Sequence, residues 1–238
     1  MRTIGIAIPN YNRHQMTIDS FKDVYDDERI EQITIVDDAS TDENWGKLSK
    51  LCVGLDKIKL VRNTSNLDCY ANKYTSLCYS EMGWNILLDS DNKIGKDYLD
   101  RIFAIENWEE NAAYLPSWAQ PHFDYRKYEG IQVTRNNVGQ YSHDPTFTTC
   151  LNTANFFVNK NFYTKCWDSN VNPHTADSIY MNLQYLKNGG KLCIVPRLYY
   201  NHRVDDHKGE EAGHYNANLH KTPQGFHDGI INELKNMR

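Results

Sequence analysis

Apolar runs that stop abruptly at polar clusters alternate with amphipathic stretches over the first ninety residues. Ile4–Ile8 is the first such run and ends in Pro9-Asn10-Tyr11-Asn12-Arg13. Met16, Ile18, Phe21 and Val24/Tyr25 then supply an approximate helical stripe. Ile33-Thr34-Ile35-Val36 is the second run, closed by Asp37-Asp38-Ala39-Ser40-Thr41-Asp42, where Ser40, Thr41 or Asp42 can cap a helix. Ile58-Lys59-Leu60-Val61 leads into Arg62-Asn63-Thr64-Ser65-Asn66, and a helix is expected from about Asp68 to Glu81. Ile86-Leu87-Leu88 runs straight into Asp89-Ser90-Asp91-Asn92. This alternation predicts a mainly parallel sheet flanked by helices, a Rossmann-like α/β half. Ligands of such sheets sit at the carboxyl ends of the strands, so the polar clusters are expected to converge on one crevice.

The second half is less regular. A helix is expected from Lys96 to about Trp108, followed by an irregular section from Ala113 to Cys150. Trp118, His122, Phe123, Tyr125, Tyr128, Tyr141 and His143 stand in that section among Pro, Gly and Asn, which argues for order. Exposed aromatic faces stack on sugar rings, and buried ones anchor a loop. Trp118, Tyr125 and Tyr128 are therefore candidates for contact with an acceptor. A strand is expected at Asn155–Val158 and a short helix at Phe162–Trp167. His174-Thr175-Ala176-Asp177 opens a helix to about Lys187, which Gly189-Gly190 stops. Leu192–Pro196 reads as a strand that continues into Leu198–Arg203. The polar tail from Asp205 carries His207, His214, His220 and His227 and ends in a short helix from Gly229 to Lys235. The expected division is one domain over 1–204, with halves 1–95 and 96–204, and a C-terminal segment over 205–238.

Composition narrows the classes. The 238 residues are 40% hydrophobic and 24% charged, ordinary for one large or two small globular domains. A net charge of −5 leaves no broad basic field, which argues against nucleic acid as a partner. No run approaches the roughly 18 apolar residues of a membrane span. The apolar start is too short for a signal peptide and breaks at Pro9. The six cysteines form no Cys-x-x-Cys pair and read as free thiols of a reducing compartment. A soluble cytoplasmic protein is expected.

The chemistry gathers at Asp89-Ser90-Asp91. In extended backbone, residues i and i+2 project the same way. Two carboxylates aimed at one point repel unless a cation lies between them, and hard oxygen ligands suit Mg²⁺ or Mn²⁺ bridging to substrate phosphates. The same residues also suit a polar turn after a strand.

Taken together, Ile4–Arg13, Ile35–Asp42 and Leu87–Asp91 resemble the nucleotide half of a GT-A glycosyltransferase, most similar to family 2. Thr175-Ala176-Asp177, Gly189-Gly190-Lys191 and Tyr200-Asn201-His202-Arg203 resemble its acceptor half. The resemblance covers about residues 3 to 204. It implies a single-domain GT-A fold that moves a sugar from a nucleotide-diphosphate sugar to an acceptor hydroxyl, on a glycan, a lipid-linked sugar or a protein. It also implies roles. Pro9, Asn10 and Tyr11 line the base and ribose pocket, and Asp38 accepts from the base's imide N–H, which favours a UDP-sugar and is also compatible with guanine. Arg13, Asn66, Asp89 and Ser90 complete the nucleotide set. Asp89, Asp91 and His202 hold the metal, and Asp177 is the base of an inverting reaction. Imidazole suits Mn²⁺ better than Mg²⁺. The tail histidines match no zinc spacing and are assigned to a flap over the diphosphate.

Two residues depart from the family pattern. Ala176 stands where an acidic neighbour of Asp177 is common, and Asp68 where glycine is common. Asp177 is otherwise a helix N-terminal carboxylate, and His202 a packed histidine beside Tyr199 and Tyr200. Three rival readings are a retaining glycosyltransferase, a nucleotidyltransferase and a non-catalytic nucleotide- or sugar-binding protein. The nucleotidyltransferase would want a glycine-rich phosphate loop after the first strand, which Pro9–Arg13 lacks.

Overall fold

A computed structural model describes residues 2–203 and 221–237. Its spine is strand β1 (Ile4–Asn10), flanked by β2 (Ile30–Asp37) and β4 (Trp84–Leu87), with β3 (Ile58–Arg62) outside β2. All these pairings are parallel. The connecting helices are α1 (His14–Phe21), α2 (Asp42–Leu51) and α3 (Asp68–Tyr79). The order β3-β2-β1-β4 is that of a Rossmann-like half.

The remaining elements extend the same sheet. They are β5 (Asn92–Lys93), α4 (Lys96–Phe103), β6 (Ala112–Gln120), β7 (Phe123–Asp124), β8 (Gln132–Val133), α5 (Val138–Tyr141), α6 (Pro145–Leu151), β9 (Phe156–Asn159), α7 (Lys160–Cys166), α8 (Asp177–Lys187), β10 (Lys191–His202) and α9 (Phe226–Asn236). The path continues β4-β9-β6-β10-β5. β9 runs antiparallel to β4 and β6, whereas β6 and β10 pair in parallel. The sheet is therefore mixed and mainly parallel, as expected.

Burial explains why these segments are strands. Ile4, Ile6, Ile8, Ile33, Ile35, Ile86 and Leu88 are all fully buried, as in a parallel sheet covered on both faces. Gly5 is required where β1 passes β4, because a Cβ there would run into the Asn85 side chain. That asparagine is itself buried and fixed by Ser80 and Met82.

Two expectations about elements change. The helix after Lys96 ends at Phe103, not Trp108, because the Trp108 indole folds back to donate to the Ile102 carbonyl and packs edge-on against Phe157. The section expected to be irregular from Ala113 begins as a nine-residue strand, β6. Its Pro116 lies beyond the stretch that pairs with β9, so the missing N–H breaks no bond there. The expected C-terminal helix is α9, which starts three residues earlier and ends one residue later than its sequence boundaries. The flap residues, including His207, His214 and His220, lie outside the described residues. No helix among the described residues is long and apolar enough to cross a membrane.

Candidate active site

The carboxyl ends of β1, β2, β3 and β4 do open on one crevice, and a buried polar network shapes it. Asn10 donates to Asp37 Oδ1 at 2.8 Å and accepts from the Thr17 hydroxyl. Asp37 also accepts from the Ser40 hydroxyl and amide. Asn10 thus braces the β1 and β2 loops against each other. Asp38, 2% exposed, accepts from Asn63 Nδ2 at 2.8 Å and from the Leu67 amide at 2.9 Å, both on Oδ1. Burial raises its pKa against those two bonds. Asn66 donates to the Asp38 carbonyl, and Asn72 links Asn63 to the Val36 carbonyl. These residues form one end of the crevice. Pro9 and Tyr11 are half-buried beside it.

Asp68 accounts for its own departure from the family pattern. Its φ is +67°, the left-handed region that glycine adopts freely and aspartate tolerates better than most. Its carboxylate accepts from Asn172 and lies 3.3 Å from His174 Nδ1, tying α3 to the loop before Asp177.

The other end of the crevice holds the charges. Arg13 Nη1 lies 2.8 Å from Asp91 Oδ2. Lys73 Nζ lies 3.1 Å from Asp89 Oδ1 and 2.7 Å from Asp177 Oδ2. So Asp89 and Asp177, from the end of β4 and the start of α8, share one buried ammonium. Burial works to lower the pKa of Lys73, but Asp177 and Asp89 overcome it and hold the group well above the usual lysine range. Asp89 is pushed up to about 6, chiefly by burial and further by Asp91 and Asp177, with Lys73 opposing. Arg203 cradles the acidic loop, donating to the carbonyls of Ser90, Asp91, Asn92 and Met16. Ser90 is buried, and it meets Arg203 through its carbonyl.

Sequence reasoning missed Lys73. The available signal was its place on the Tyr70, Lys73, Ser76, Leu77 stripe of α3, all of them buried. A lysine on a buried face needs carboxylate partners.

His202, at the end of β10, pairs across the sheet edge with Asn92, the residue after Asp91. Its Nδ1 lies 3.2 Å from His122 Nδ1. The acceptor candidates separate. Tyr125, 1% exposed, bonds Thr153 through its hydroxyl, and Tyr128 is buried against Phe147 with its hydroxyl on Asp144. Their rings anchor the loop and present no free face, because the apolar underside of the β6–β7 excursion must be covered. Trp118 stays half-buried, with the Arg126 guanidinium 4.2 Å over its ring.

The residues fit a divalent cation held jointly with a diphosphate. Among the described residues the ion pairs set Asp89, Asp91 and Asp177 against Lys73 and Arg13, three carboxylates to two cations. Among the described residues no three His, Cys, Asp or Glu side chains form a ready metal cluster.

The shift at Asp89 has a consequence for stability. Its folded pKa of about 6 exceeds its ordinary value of 3.8, so the folded chain holds this proton where the unfolded chain has lost it. The contribution is full below the ordinary value and is lost as pH rises through the folded one. In metal-free protein, the stability of Asp89→Asn relative to wild type should therefore rise from pH 4 to pH 6, followed by thermal melts across that range. A constant difference would remove the shift.

The family model described as Glycosyl transferase family 2 matches residues 5–166. The chain belongs to this family. The matched stretch of this family 2 domain contains Asp38, Lys73, Asp89 and Asp91 and stops before Asp177 and His202. No curated protein matches the sequence. In fold, the domain is similar to TarS 1-349 of S. aureus in complex with UDP-GlcNAc, with TM-score 0.61, 13% identity, and coverage of 83% of this chain and 57% of that one. The mannosyltransferase PcManGT of Pyrobaculum calidifontis, in complex with GDP-Man and Mn²⁺, gives TM-score 0.57, 14% identity, and coverage of 86% and 58%. GalNAc-T7 with UDP, GalNAc and Mn²⁺ gives TM-score 0.61, 14% identity, and coverage of 85% and 44%. The chain thus spans little more than half the length of the TarS segment.

Proposed function

We propose that this family 2 domain transfers a sugar from a UDP-linked donor to an acceptor hydroxyl with inversion, assisted by Mn²⁺ or Mg²⁺. The observation that carries this reading is the convergence of Asp89 and Asp177 on Lys73, with Asp91 two residues on and paired with Arg13, at the carboxyl edge of the parallel strands.

Each residue then has a task. Asp38 commits Oδ1 to Asn63 and Leu67 and offers Oδ2 to the imide N–H of uracil. Pro9, Tyr11 and Asn66 border the base and ribose, while Asn10 and Ser90 shape the loops that do so. Arg13 stands beside Asp91, where a diphosphate would draw on its charge. Asp89, Asp91 and His202 would hold the ion, which supplies neutralisation of the charge that develops on the leaving diphosphate. Asp177 Oδ2 is taken by Lys73, so Oδ1 is the atom that accepts the acceptor hydroxyl proton. A carboxylate in that role contributes about 10²–10⁴-fold. UDP and GDP donors both occur among the similar structures, and Asp38 favours the imide of uracil.

Time-resolved ¹H NMR of donor turnover tests the reaction. UDP-sugars are to be incubated with the domain and Mn²⁺, and the first-formed product anomer read before mutarotation. Inversion of the donor anomeric configuration is expected. Retention would remove Asp177 from its role as base.

A further inference from the structure

We propose that Thr222 is a positioning residue for transfer, its hydroxyl holding the turn that delivers Asp177 to the crevice. The proposal rests on the reading of Asp177 as the base. It adds a residue that lies beyond both the family match, which ends at 166, and the resemblance, which ends near 204.

The start of α8 is poorly secured by its own sequence. The first amides of a helix need acceptors, and an N-cap side chain usually supplies one. Ala176 occupies that position and has no oxygen to offer. Acceptors come from distant segments instead. Asn152 Oδ1 takes the Ile179 amide at 3.4 Å. Thr222 Oγ1 takes the Thr175 amide at 3.3 Å, and the Thr175 and Thr222 hydroxyls lie 2.8 Å apart. Thr175 stands two residues before Asp177.

The turn needs such a hold because its backbone is strained. His174 has a φ of +47°, a left-handed conformation that persists only where the surroundings enforce it. Asp68 and Cys69 of α3 grip this residue. Asp68 Oδ2 lies 3.3 Å from His174 Nδ1, and Cys69 Sγ donates to the His174 carbonyl at 3.2 Å. Thr222 grips the next residue from the C-terminal segment. Lys221 Nζ, 4.0 Å from Asp68 Oδ1, links the two grips.

The C-terminal segment is itself anchored. α9 buries Ile230 and Leu234, its Phe226 ring lies 5.8 Å from that of Tyr180 on α8, and its Glu233 pairs with Lys187 at the end of α8. A Cβ at Gly139 of α5 would run into the Lys235 carbonyl, so the two helices touch through backbone. Thr222 is thus carried by a helix packed on the same α8 that begins with Asp177. Without its hydroxyl the turn loosens, while Lys73 still holds Asp177 Oδ2. The fault should therefore fall on the aim of Oδ1 at the acceptor hydroxyl and spare the donor end of the crevice.

The test is Thr222→Val in the full chain, which keeps the shape and removes the hydroxyl. Donor turnover by ¹H NMR, UDP affinity by calorimetry and thermal melts are compared with wild type, Thr222→Ser and Asp177→Asn. Thr222→Val is expected to lower kcat by about tenfold or more, since small misplacements of a reacting group have effects of that order. UDP affinity should stay within about twofold of wild type and the melt should be preserved, and Thr222→Ser should restore most of the rate. Thr175→Val breaks the same contact from the other side. It should match Thr222→Val, and the double variant should be no slower than either single one. Turnover by Thr222→Val close to wild type, a fall in UDP affinity as large as the fall in kcat, or losses that multiply in the double variant would overturn the role of Thr222. If Asp177→Asn is inactive in the same series, the reading of Asp177 as base survives that outcome. Full activity in Asp177→Asn, or no turnover of UDP-sugars by wild type, would overturn that reading and this proposal with it.

Discussion

Asp177→Asn is expected to leave UDP affinity within about twofold of wild type and to cut transfer by about 10²–10⁴-fold. The carboxylate sits at the start of α8, is 8% exposed, and has Lys73 on Oδ2. An amide of the same shape preserves the packing but takes no proton. Lys73 keeps Asp89 as a partner, so the donor end of the crevice is undisturbed. The loss should fall on kcat and on kcat/KM alike, as for a group used only in the transition state. Titration of UDP by calorimetry and initial rates of donor turnover check the two halves of the expectation. Activity within threefold of wild type would rule Asp177 out as the base.

Lys73→Met is expected to have the largest effect on the fold. The lysine is 6% exposed and is the cation shared by Asp89 and Asp177. Methionine has similar length and no charge, so it fills the space and leaves two enclosed carboxylates facing each other. Breaking a buried pair from one side typically costs about 3–5 kcal/mol. Unfolding in urea should show a loss of that order, and transfer should be lost with it. Added Mn²⁺ should restore part of the stability, because an ion held by the carboxylates replaces the missing charge. Lys73→Arg keeps the charge on a wider, planar head and should fall between. A Lys73→Met protein within about 1 kcal/mol of wild type would show that the ammonium is not what holds the cluster together.

The parallel half was legible because its signals are local. Each strand is an apolar run closed by its own polar turn, so Asp38, Asp89 and Asp91 could be placed without knowing their neighbours. Asp177 was legible from the helix that it opens, once the resemblance had been noticed. Lys73 was not, since its charge partners come from β4 and α8, far along the chain, and only the fold brings them to α3. The stretch from Ala113 hid β6, whose Pro116 and aromatic residues mask the alternation of a strand. Tyr125 and Tyr128 show the limit from the other side. Their aromatic character left open whether they face an acceptor or anchor the loop, and the excursion uses their rings as its own core. Asp68 was read as a departure from a glycine position, and its positive φ shows that the backbone turn is kept with a different side chain.

The claim at the centre is that Asp89 and Asp91 create a metal-dependent site for a nucleoside diphosphate. Calorimetric titration of UDP into wild type and Asp91→Ala, each with and without Mn²⁺, tests it most directly. Wild type should bind UDP far more tightly with Mn²⁺ than without, and Asp91→Ala should lose that difference while keeping the weak metal-free binding. Equal UDP affinity with and without Mn²⁺ in both proteins, or no UDP binding by wild type under either condition, would contradict the account.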